Sequence, residues 1–376
     1  HVAKSLFPPS PGVIYGALRT LFFSHHPDVF ARLEEARRKG NVLYGKPGVD
    51  PTAALRLRGL YVAYRDTLLL PLPADCVKEG KAKDQEATGQ GEPTWVLKRL
   101  SIGEADGTER DAFLPASNSP LPEVLISPLP EDRRVEPLEQ ALCTAEDFAA
   151  YLAGTSARGP VPLSLHGGSE GTALLGTEYK VGIARRLDTG HVEKGMLYRV
   201  GMVRLNPEVS LVVDYEVEEA QQGLVPFALP KRGVLRLGGE GRMAAFVHEE
   251  PRLCPAPAID PRLFKVVLLT PALFDNGWYP GWLDARSGYP GTFRGVRVRL
   301  VAAAVGRYVP IGGFDMARRK PKAMMRAVPA GAVYYFSAVD DVDPARVCEA
   351  FHHASISDHR AEEGFGVAVV GRVHTD

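Results

Sequence analysis

The sequence predicts an α+β fold made of two tandem domains of ferredoxin-like type, with insertions and a protruding β-hairpin. Short stretches of strand character alternate with only a few segments of helical spacing along the 376 residues. Each half closes with a glycine-rich turn followed by a strand. Between the halves, residues 249–261 carry four prolines, which is typical of a linker. We therefore predict domains at residues 1–252 and 253–376.

The predicted helices are marked by the residues that begin them. Ser10 is a candidate N-cap and Pro11 suits the first helical position, and apolar residues then recur at helical spacing as far as Leu21. Thr144 and Asp343 are the N-caps predicted for two later helices. The three helices predicted after the first one cover residues 28–40, 144–152 and 343–353.

The predicted strands are apolar stretches bounded by glycine, proline or polar residues. Two of them form a hairpin that turns near Asp188. Residues 75–94 are polar and rich in glycine, which predicts a solvated loop. The predicted strands cover residues 59–70, 95–100, 178–187, 195–205, 211–217, 234–247 (with a central turn), 264–270, 293–305, 331–338 and 367–373.

Charge balance limits the kind of nucleic-acid binder that this chain can be. Lys plus Arg and Asp plus Glu both number 45, so the formal net charge is zero. Proteins that bind nucleic acid are usually basic, so any such site must be a local patch with the acidic residues elsewhere. No apolar run approaches the roughly 20 residues that span a membrane, and no signal peptide is visible. We expect a cytoplasmic protein without a membrane partner.

The cysteines do not predict a metal site or a disulfide framework. They are far apart and include no C-x-x-C pair, so a zinc site would have to gather its ligands from distant places. We expect reduced thiols and no cofactor. The four residues are Cys76, Cys143, Cys254 and Cys348.

Two clusters of cations are candidates for binding an anionic polymer. The hairpin at 178–205 carries several, and arginine is favoured there because its planar fork matches phosphate oxygens. A solvated edge hairpin is the alternative, since cations also protect sheet edges. A second cluster follows Gly312 and Gly313, and a localisation signal or a plain charged loop is its alternative. The cations are Lys180, Arg185, Arg186, Arg199 and Arg204 in the hairpin, and Arg318, Arg319, Lys320, Lys322 and Arg326 in the loop.

Two glycine turns are further candidates, at residues 238–242 and 364–366. Glycine lets backbone N–H groups face phosphates without a Cβ in the way. Phe365 is placed to stack on a base of single-stranded RNA. Simple hairpin turns are the alternative. Neither turn fits the G-x-x-x-x-G-K-[ST] motif, which disfavours a nucleoside-triphosphate loop.

The histidines do not predict a catalytic site. His25-His26 and His352-His353 are adjacent pairs, and neighbours in a helix point to different faces, so neither makes an i, i+4 metal pair. The sequence also lacks the H-x-E…C-x-x-C and G-x-S-x-G motifs of hydrolases. We expect a protein that is not an enzyme.

Several segments taken together resemble a known family. They are similar, in order, to the third subunit of the Cmr complex, the type III-B CRISPR effector, which belongs to the RAMP superfamily of ferredoxin-like, RRM-type folds. One departure is that the first strand of the family is expected to precede His1. Another is that the last glycine turn is a sparse version of the superfamily loop. The matching stretches are residues 7–19, 178–183, 193–198, 237–242 and 321–335.

The resemblance implies a role in a ribonucleoprotein. Such subunits hold the 5′ repeat-derived tag of the CRISPR RNA at the foot of the complex, and they contact the large polymerase-like subunit and the backbone RAMP subunit. Target cleavage belongs to the backbone subunit, so no catalytic residue or metal is implied here. The RNA-contacting residues that the resemblance implies are Tyr15, Arg19, Lys180, Arg185, Arg186, Gly238, Gly239, Arg242, Arg318, Lys320, Lys322, Arg326, Gly364, Phe365 and Gly366.

Two other functions stay open from the sequence. A CRISPR-RNA-processing endoribonuclease of the same superfamily would need a catalytic histidine, and His25 or His26 is the candidate. An assembly protein that binds no nucleic acid would use its basic loops on acidic partner surfaces.

Overall fold

The chain folds as a mixed α/β protein with mostly antiparallel sheets and few helices. The structure is a computed structural model. It describes residues 2–4, 6–79, 97–99, 101–104, 121, 123–126, 135–138, 140–155, 163, 165, 173–186, 188–219, 223–239, 241–250 and 254–373.

The helices begin where the capping residues predict. The Thr144 hydroxyl accepts a hydrogen bond from the Asp147 backbone N–H at 3.1 Å, and the Asp343 carboxylate accepts one from Ala345 at 2.9 Å. The first helix starts at Pro11 as predicted, although the Ser10 side chain makes no capping hydrogen bond. Among the described helices none is long and apolar enough to cross a membrane. The helices are α1 (Pro11–His25), α2 (Pro27–Arg38), α3 (Ala145–Ala153) and α4 (Pro344–Phe351).

The strands fall into several small sheets and one sheet of six strands. Strands before residue 250 are β1 (Val2–Lys4), β2 (Leu55–Tyr64), β3 (Thr67–Pro71), β4 (Cys76–Glu79), β5 (Leu97–Arg99), β6 (Ser101–Glu104), β7 (Glu123–Ile126), β8 (Val135–Pro137), β9 (Leu142–Thr144), β10 (Leu175–Arg185), β11 (Val192–Leu205), β12 (Val209–Val217), β13 (Arg232–Arg236) and β14 (Met243–Val247). Those after it are β15 (Phe264–Leu268), β16 (Pro290–Phe293), β17 (Val296–Ala304), β18 (Val309–Ile311), β19 (Phe314–Asp315), β20 (Lys320–Pro321), β21 (Met325–Ala327), β22 (Val333–Ala338), β23 (Ala354–Ser355) and β24 (Val367–Arg372).

The six-stranded sheet has the order β16-β17-β22-β15-β24-β23, with every neighbouring pair antiparallel. One of its faces packs against α4, where Phe336 and Phe351 are fully buried. Its other face packs against the N-terminal half, where Tyr335 shares a core with Phe148 and Tyr151 of α3. The two halves therefore bury apolar surface against each other. The finer assignment of two tandem ferredoxin-like domains, with a boundary at residue 252, stays a prediction.

Two predicted strands are in fact hairpins. The strand predicted over 59–70 is divided into β2 and β3 by a turn at Arg65, whose φ is +53° and whose side chain pairs with Glu208. The strand predicted over 293–305 is divided into β16 and β17 at Arg294 and Gly295, with φ of +45° and +84°. Both turns are two residues long, and positive φ at such positions is the geometry of tight hairpins. The apolar run on either side concealed them.

A short strand precedes α1 in the described chain, although the family resemblance had placed the first strand before His1. This strand, β1, pairs in parallel with β11, opposite residues 199–201. The three-stranded sheet that results has the order β1-β11-β10, so the predicted basic hairpin forms its outer part. The start of the loop predicted over 75–94 is strand β4, and residues 80–94 lie outside the described residues.

Candidate RNA interface

Two other regions that the sequence singled out, the first glycine turn and the segment before the last one, lie against the first turn of α1. A Cβ added to Gly238 would lie 3.7 Å from Val13 Cγ1, so the first glycine turn borders the helix. A Cβ added to Gly12 would collide with the side chains of Arg360 and Glu363, which precede the last glycine turn. The glycine at position 12 leaves room for the ends of these two side chains, and the C-terminal half lies against the helix here.

The first glycine turn is exposed and open. It joins β13 to β14, with the Leu237 N–H donating to the Arg242 carbonyl at 2.9 Å. Gly238 has a φ of +72°, which favours glycine, and no atom of the residues that the structure describes lies within 4 Å of a Cβ built on Gly239. The Nε of Arg242 is buried and has no acceptor among the described residues. An unpaired buried donor is costly. A guanidinium beside an open turn also carries charge that suits an anion.

Beside the N-terminal end of α1, two cations are grouped around the carboxylate of Glu363. Its carboxylate pairs with Arg360, and Lys322 Nζ lies 3.1 Å from its Oε1. Burial acts to raise the pKa of Glu363, but the hydrogen bond and charge of Arg360, with the charge of Lys322, outweigh it and hold the pKa below its usual value. Lys322, predicted to bind RNA, is thus already engaged by a carboxylate of the chain.

Tyr15 and Arg19 of α1 are not placed as predicted. Tyr15 is buried with Leu18 in an apolar cluster, and burial raises the pKa of its phenol. The Arg19 guanidinium donates to Asp50 Oδ2 at 2.8 Å and to Thr52 Oγ1 at 2.6 Å. Asp50 is fully buried and also accepts from the Gly45 N–H and from the N–H and hydroxyl of Thr52, so Arg19 supplies the opposite charge to an otherwise hydrogen-bonded buried carboxylate. Both residues thus have structural roles in the fold, and their contact with RNA stays a prediction.

The last glycine turn does not expose its amides. Gly364, Phe365 and Gly366 are all buried, and their N–H groups donate to the carbonyls of Ala361, Arg360 and Pro271 respectively. A Cβ on Gly364 would lie 2.7 Å from Leu57 Cβ, and one on Gly366 would lie 2.6 Å from Ser357. Phe365 fills an apolar cluster with Leu273, Ile311 and Ala327. Gly364 packs against the N-terminal half and Gly366 against a neighbouring segment of its own half, so all three residues are buried, and their contact with RNA stays a prediction.

The predicted basic loop is a second hairpin. Its strands are β18–β21 and, nearer the tip, β19–β20. Arg318 pairs with Asp315 at 2.9 Å, and the Arg326 guanidinium lies over the Tyr308 ring at 4.9 Å. Lys320 is exposed. Arg318, Lys320 and Arg326 are therefore accessible, but two of the hairpin's cations, Arg318 and Lys322, are occupied by carboxylates.

The hairpin of β10 and β11 carries its cations at the surface, as predicted. Lys180, Arg185 and Arg186 are exposed. Arg186 makes a two-point contact with Asp188, with distances of 3.2 and 3.1 Å, and this contact lowers the pKa of Asp188. The base of the hairpin packs into the N-terminal half through Leu175. The cations of this hairpin thus lie on a projecting part of the chain, away from the contacts described at the N-terminal end of α1.

The candidate catalytic histidines lie at the far end of α1. His25 is exposed, and His26 packs its ring on Phe22 with centroids 4.4 Å apart. The rise of a helix places them about 20 Å from the first glycine turn along α1. Within the described ranges no group of three or more His, Cys, Asp or Glu residues could hold a metal ion.

Arg360, Glu363 and Asp50 organise the site but escaped the sequence reasoning. Their partners, Gly12 and Arg19, are several tens to hundreds of residues away in the chain, so no local pattern marks the pairs. The one local signal is Asp50, which precedes Pro51 and caps a short 3₁₀ turn by accepting from Thr52.

Comparison with known proteins identifies the family. The model of the family described as CRISPR-associated protein (Cas_Cmr3) matches residues 1–373. The chain belongs to this family, which confirms the predicted resemblance to the third subunit of the Cmr complex, the type III-B CRISPR effector. No curated protein matches the chain.

Solved structures similar to this chain have low sequence identity. A chain of the cryo-EM structure of the Type III-B Cmr-beta bound to cognate target RNA is 16% identical, covers 88% of this chain and 76% of its own length, and has a TM-score of 0.42. A chain of the same assembly with target RNA and AMPPnP, state 1, is 16% identical, with coverages of 89% and 79% and a TM-score of 0.41. A chain of the Csm3-Csm4 subcomplex in the type III-A CRISPR-Cas interference complex is 11% identical, with coverages of 89% and 89% and a TM-score of 0.33.

Proposed function

We propose that this effector subunit is a non-catalytic RNA-binding protein that holds the 5′ repeat-derived tag of the CRISPR RNA. In that role it caps the assembly in the cytoplasm and bridges the large polymerase-like subunit to the backbone RAMP subunit in antiviral defence. The observation that carries the proposal is the open glycine turn beside α1. Gly238 and Gly239 are exposed there, and the buried Nε of Arg242 has no acceptor among the described residues.

The turn has the chemistry that a phosphate or a base edge needs. Backbone N–H groups at a glycine turn approach an anion closely because no Cβ intervenes. A guanidinium adds charge-assisted hydrogen bonds. The projecting cations Lys180 and Arg185 would then follow the strand as it leaves the turn, and Arg186 would contribute less because Asp188 holds it. Arg318, Lys320, Lys322 and Arg326 contribute less, because carboxylates of the chain occupy two of them.

The proposed fold assignment rests on strand order in the C-terminal half. By order in the chain, β15, β17, β22 and β24 are the first to fourth strands, and in space they run second, third, first, fourth. With α4 between the third and fourth strands, this is ferredoxin-like connectivity. Residues 269–289 contain only a short 3₁₀ turn in place of the first helix. We extend the same assignment to the N-terminal half as part of the proposal.

Purification of the native complex tests the proposed function. The chain is tagged in its own cells, the complex is isolated, and the bound RNAs are sequenced after crosslinking to this subunit. We expect crosslinked fragments to share one 5′ repeat-derived sequence. Fragments drawn from other parts of the RNA, or no crosslinked RNA, would contradict the proposal.

A further inference from the structure

The two-stranded sheet of β13 and β14 has one packed face and one open face. On the packed face, Leu235 contacts the apolar cluster of α1 around Ile14. Side chains alternate along a strand, so the neighbours of Leu235 point the opposite way. The residues of that opposite side are all exposed, and we call it the outer face. Its cross-strand pairs are Arg232–Val247, Val234–Ala245 and Arg236–Met243.

The outer face carries positive charge that the chain itself does not neutralise. Residues 231–247 hold four cations and a single carboxylate, although the whole chain has no net charge. Exposed arginines elsewhere, such as Arg65 and Arg262, pair with carboxylates. Arg232 and Arg236 form no ion pair with any residue in the described part of the chain. An anion from outside the chain can therefore reach both guanidinium groups.

Apolar side chains lie between the two arginines. Val234, Met243 and Val247 are exposed by 55%, 61% and 66%. A small anion would not use these side chains, whereas a single-stranded nucleic acid presents phosphates and unpaired bases together. Bases stack on guanidinium planes, and a methionine thioether packs favourably against aromatic rings. The mixture of charge and apolar surface therefore favours a polynucleotide strand as the occupant.

The outer face begins where the first glycine turn ends. Arg236 and Met243 form the last ladder pair before that turn. We propose that an RNA strand leaving the turn runs along the outer face, with phosphates on Arg236 and Arg232 and bases against Val234 and Met243. The arginines are four residues apart on an extended strand, about 13 Å, so they bind separate phosphates. The inference rests on the proposed function and adds a second contact region to it.

The first test removes both arginines from the full chain. The variant is Arg232→Gln with Arg236→Gln, and the matched control is Arg297→Gln with Arg299→Gln, two exposed arginines of β17. Affinity for tag RNA is measured over a series of salt concentrations, together with the melting temperature. Loss of two phosphate contacts should lower the slope of log affinity against log salt concentration by about 1.4 and weaken binding roughly 25-fold at about 0.1 M salt. The control should keep the wild-type affinity and slope, and both variants the wild-type melting temperature.

The second test needs no substitution on the outer face. A mild oxidant converts exposed methionine to its sulfoxide, which mass spectrometry detects at Met243. We expect tag RNA to slow the oxidation of Met243 severalfold in the isolated full chain. Gly239→Glu, which is expected to bind the RNA poorly, should show the same oxidation rate with and without RNA.

Four results would overturn the inference. The outer-face variant could keep the wild-type affinity and salt slope, or the control could lose as much affinity. Met243 could be oxidised at an unchanged rate while tag RNA is bound. The outer-face variant could bind RNA normally and fail to join the remaining effector subunits, which would assign the outer face to an acidic protein surface. The proposed function fails on a different result, tight binding of tag RNA by Gly239→Glu, because that variant alters the turn and leaves both arginines in place.

Discussion

Replacing Asp188 by Asn is expected to strengthen RNA binding. Asp188 holds the guanidinium of Arg186 at 3.1 Å, and both side chains are about 60% exposed. The asparagine removes a negative charge from the hairpin and frees Arg186 for a phosphate. For single-stranded RNA, one added phosphate contact steepens the slope of log affinity against log salt concentration by about 0.7. At about 0.1 M salt this corresponds to about a fivefold gain in affinity. Arg185→Gln should produce the opposite change of similar size.

The assay is a fluorescence-anisotropy titration of tag RNA over a series of salt concentrations. Asp260→Asn is the matched control, because Asp260 pairs with Arg262 at the same spacing of two residues, at 2.8 Å and on the surface of the other half. The control should leave RNA affinity unchanged. The reasoning is refuted if Asp188→Asn weakens binding or leaves it unchanged, or if Asp260→Asn strengthens it equally.

Three further changes separate structural from functional roles. Phe365→Ala should lower the free energy of unfolding by about 3–5 kcal/mol in denaturant titrations, because the ring is fully buried. A smaller loss of stability together with weaker RNA binding would support the predicted stacking of Phe365 on a base. Burial and the neighbouring charge of His353 lower the pKa of His352 to about 4, despite the hydrogen bond of His352 to the Cys254 carbonyl. Between about pH 6.5 and 4 only the unfolded chain takes up a proton at this histidine. The free energy of unfolding should therefore fall by roughly 1–2 kcal/mol as the pH drops through this range. Melting curves should show this slope flattened by His352→Gln and kept by His25→Gln. Replacing His25 and His26 by Ala should leave CRISPR-RNA lengths unaltered on gels, and accumulation of precursor would favour the nuclease instead.

Local chemistry predicted the helices and most strands. Thr144 and Asp343 act as N-caps, and the helices begin at the residues that follow them. Hairpins with a clear polar turn, such as the one around Asp188, were also predicted. The errors at Arg65 and Arg294 share one cause: a turn of only two residues separates two stretches of strand character that together resemble one long strand.

The sequence indicated which residues are candidates for the site, but it did not indicate which of them are exposed. The amides of Gly238 and Gly364 look alike in sequence, but the first turn is open while Leu57 of the N-terminal half packs against Gly364 in the second. Tyr15 was predicted to contact RNA, yet the packing of α1 buries it. Such contacts join residues that are far apart in the chain, so periodicity does not reveal them.

The central claim is that the glycine turn beside α1 receives the RNA, and substitutions at Gly239 test it most directly. A Cβ at this position meets no atom within 4 Å in the described part of the chain, so Gly239→Ala and Gly239→Glu should both fold with the wild-type melting temperature. We expect Gly239→Ala to bind tag RNA within about twofold of wild type, while the carboxylate of Gly239→Glu lowers affinity more than about tenfold. Equal affinity of the two variants would contradict the claim.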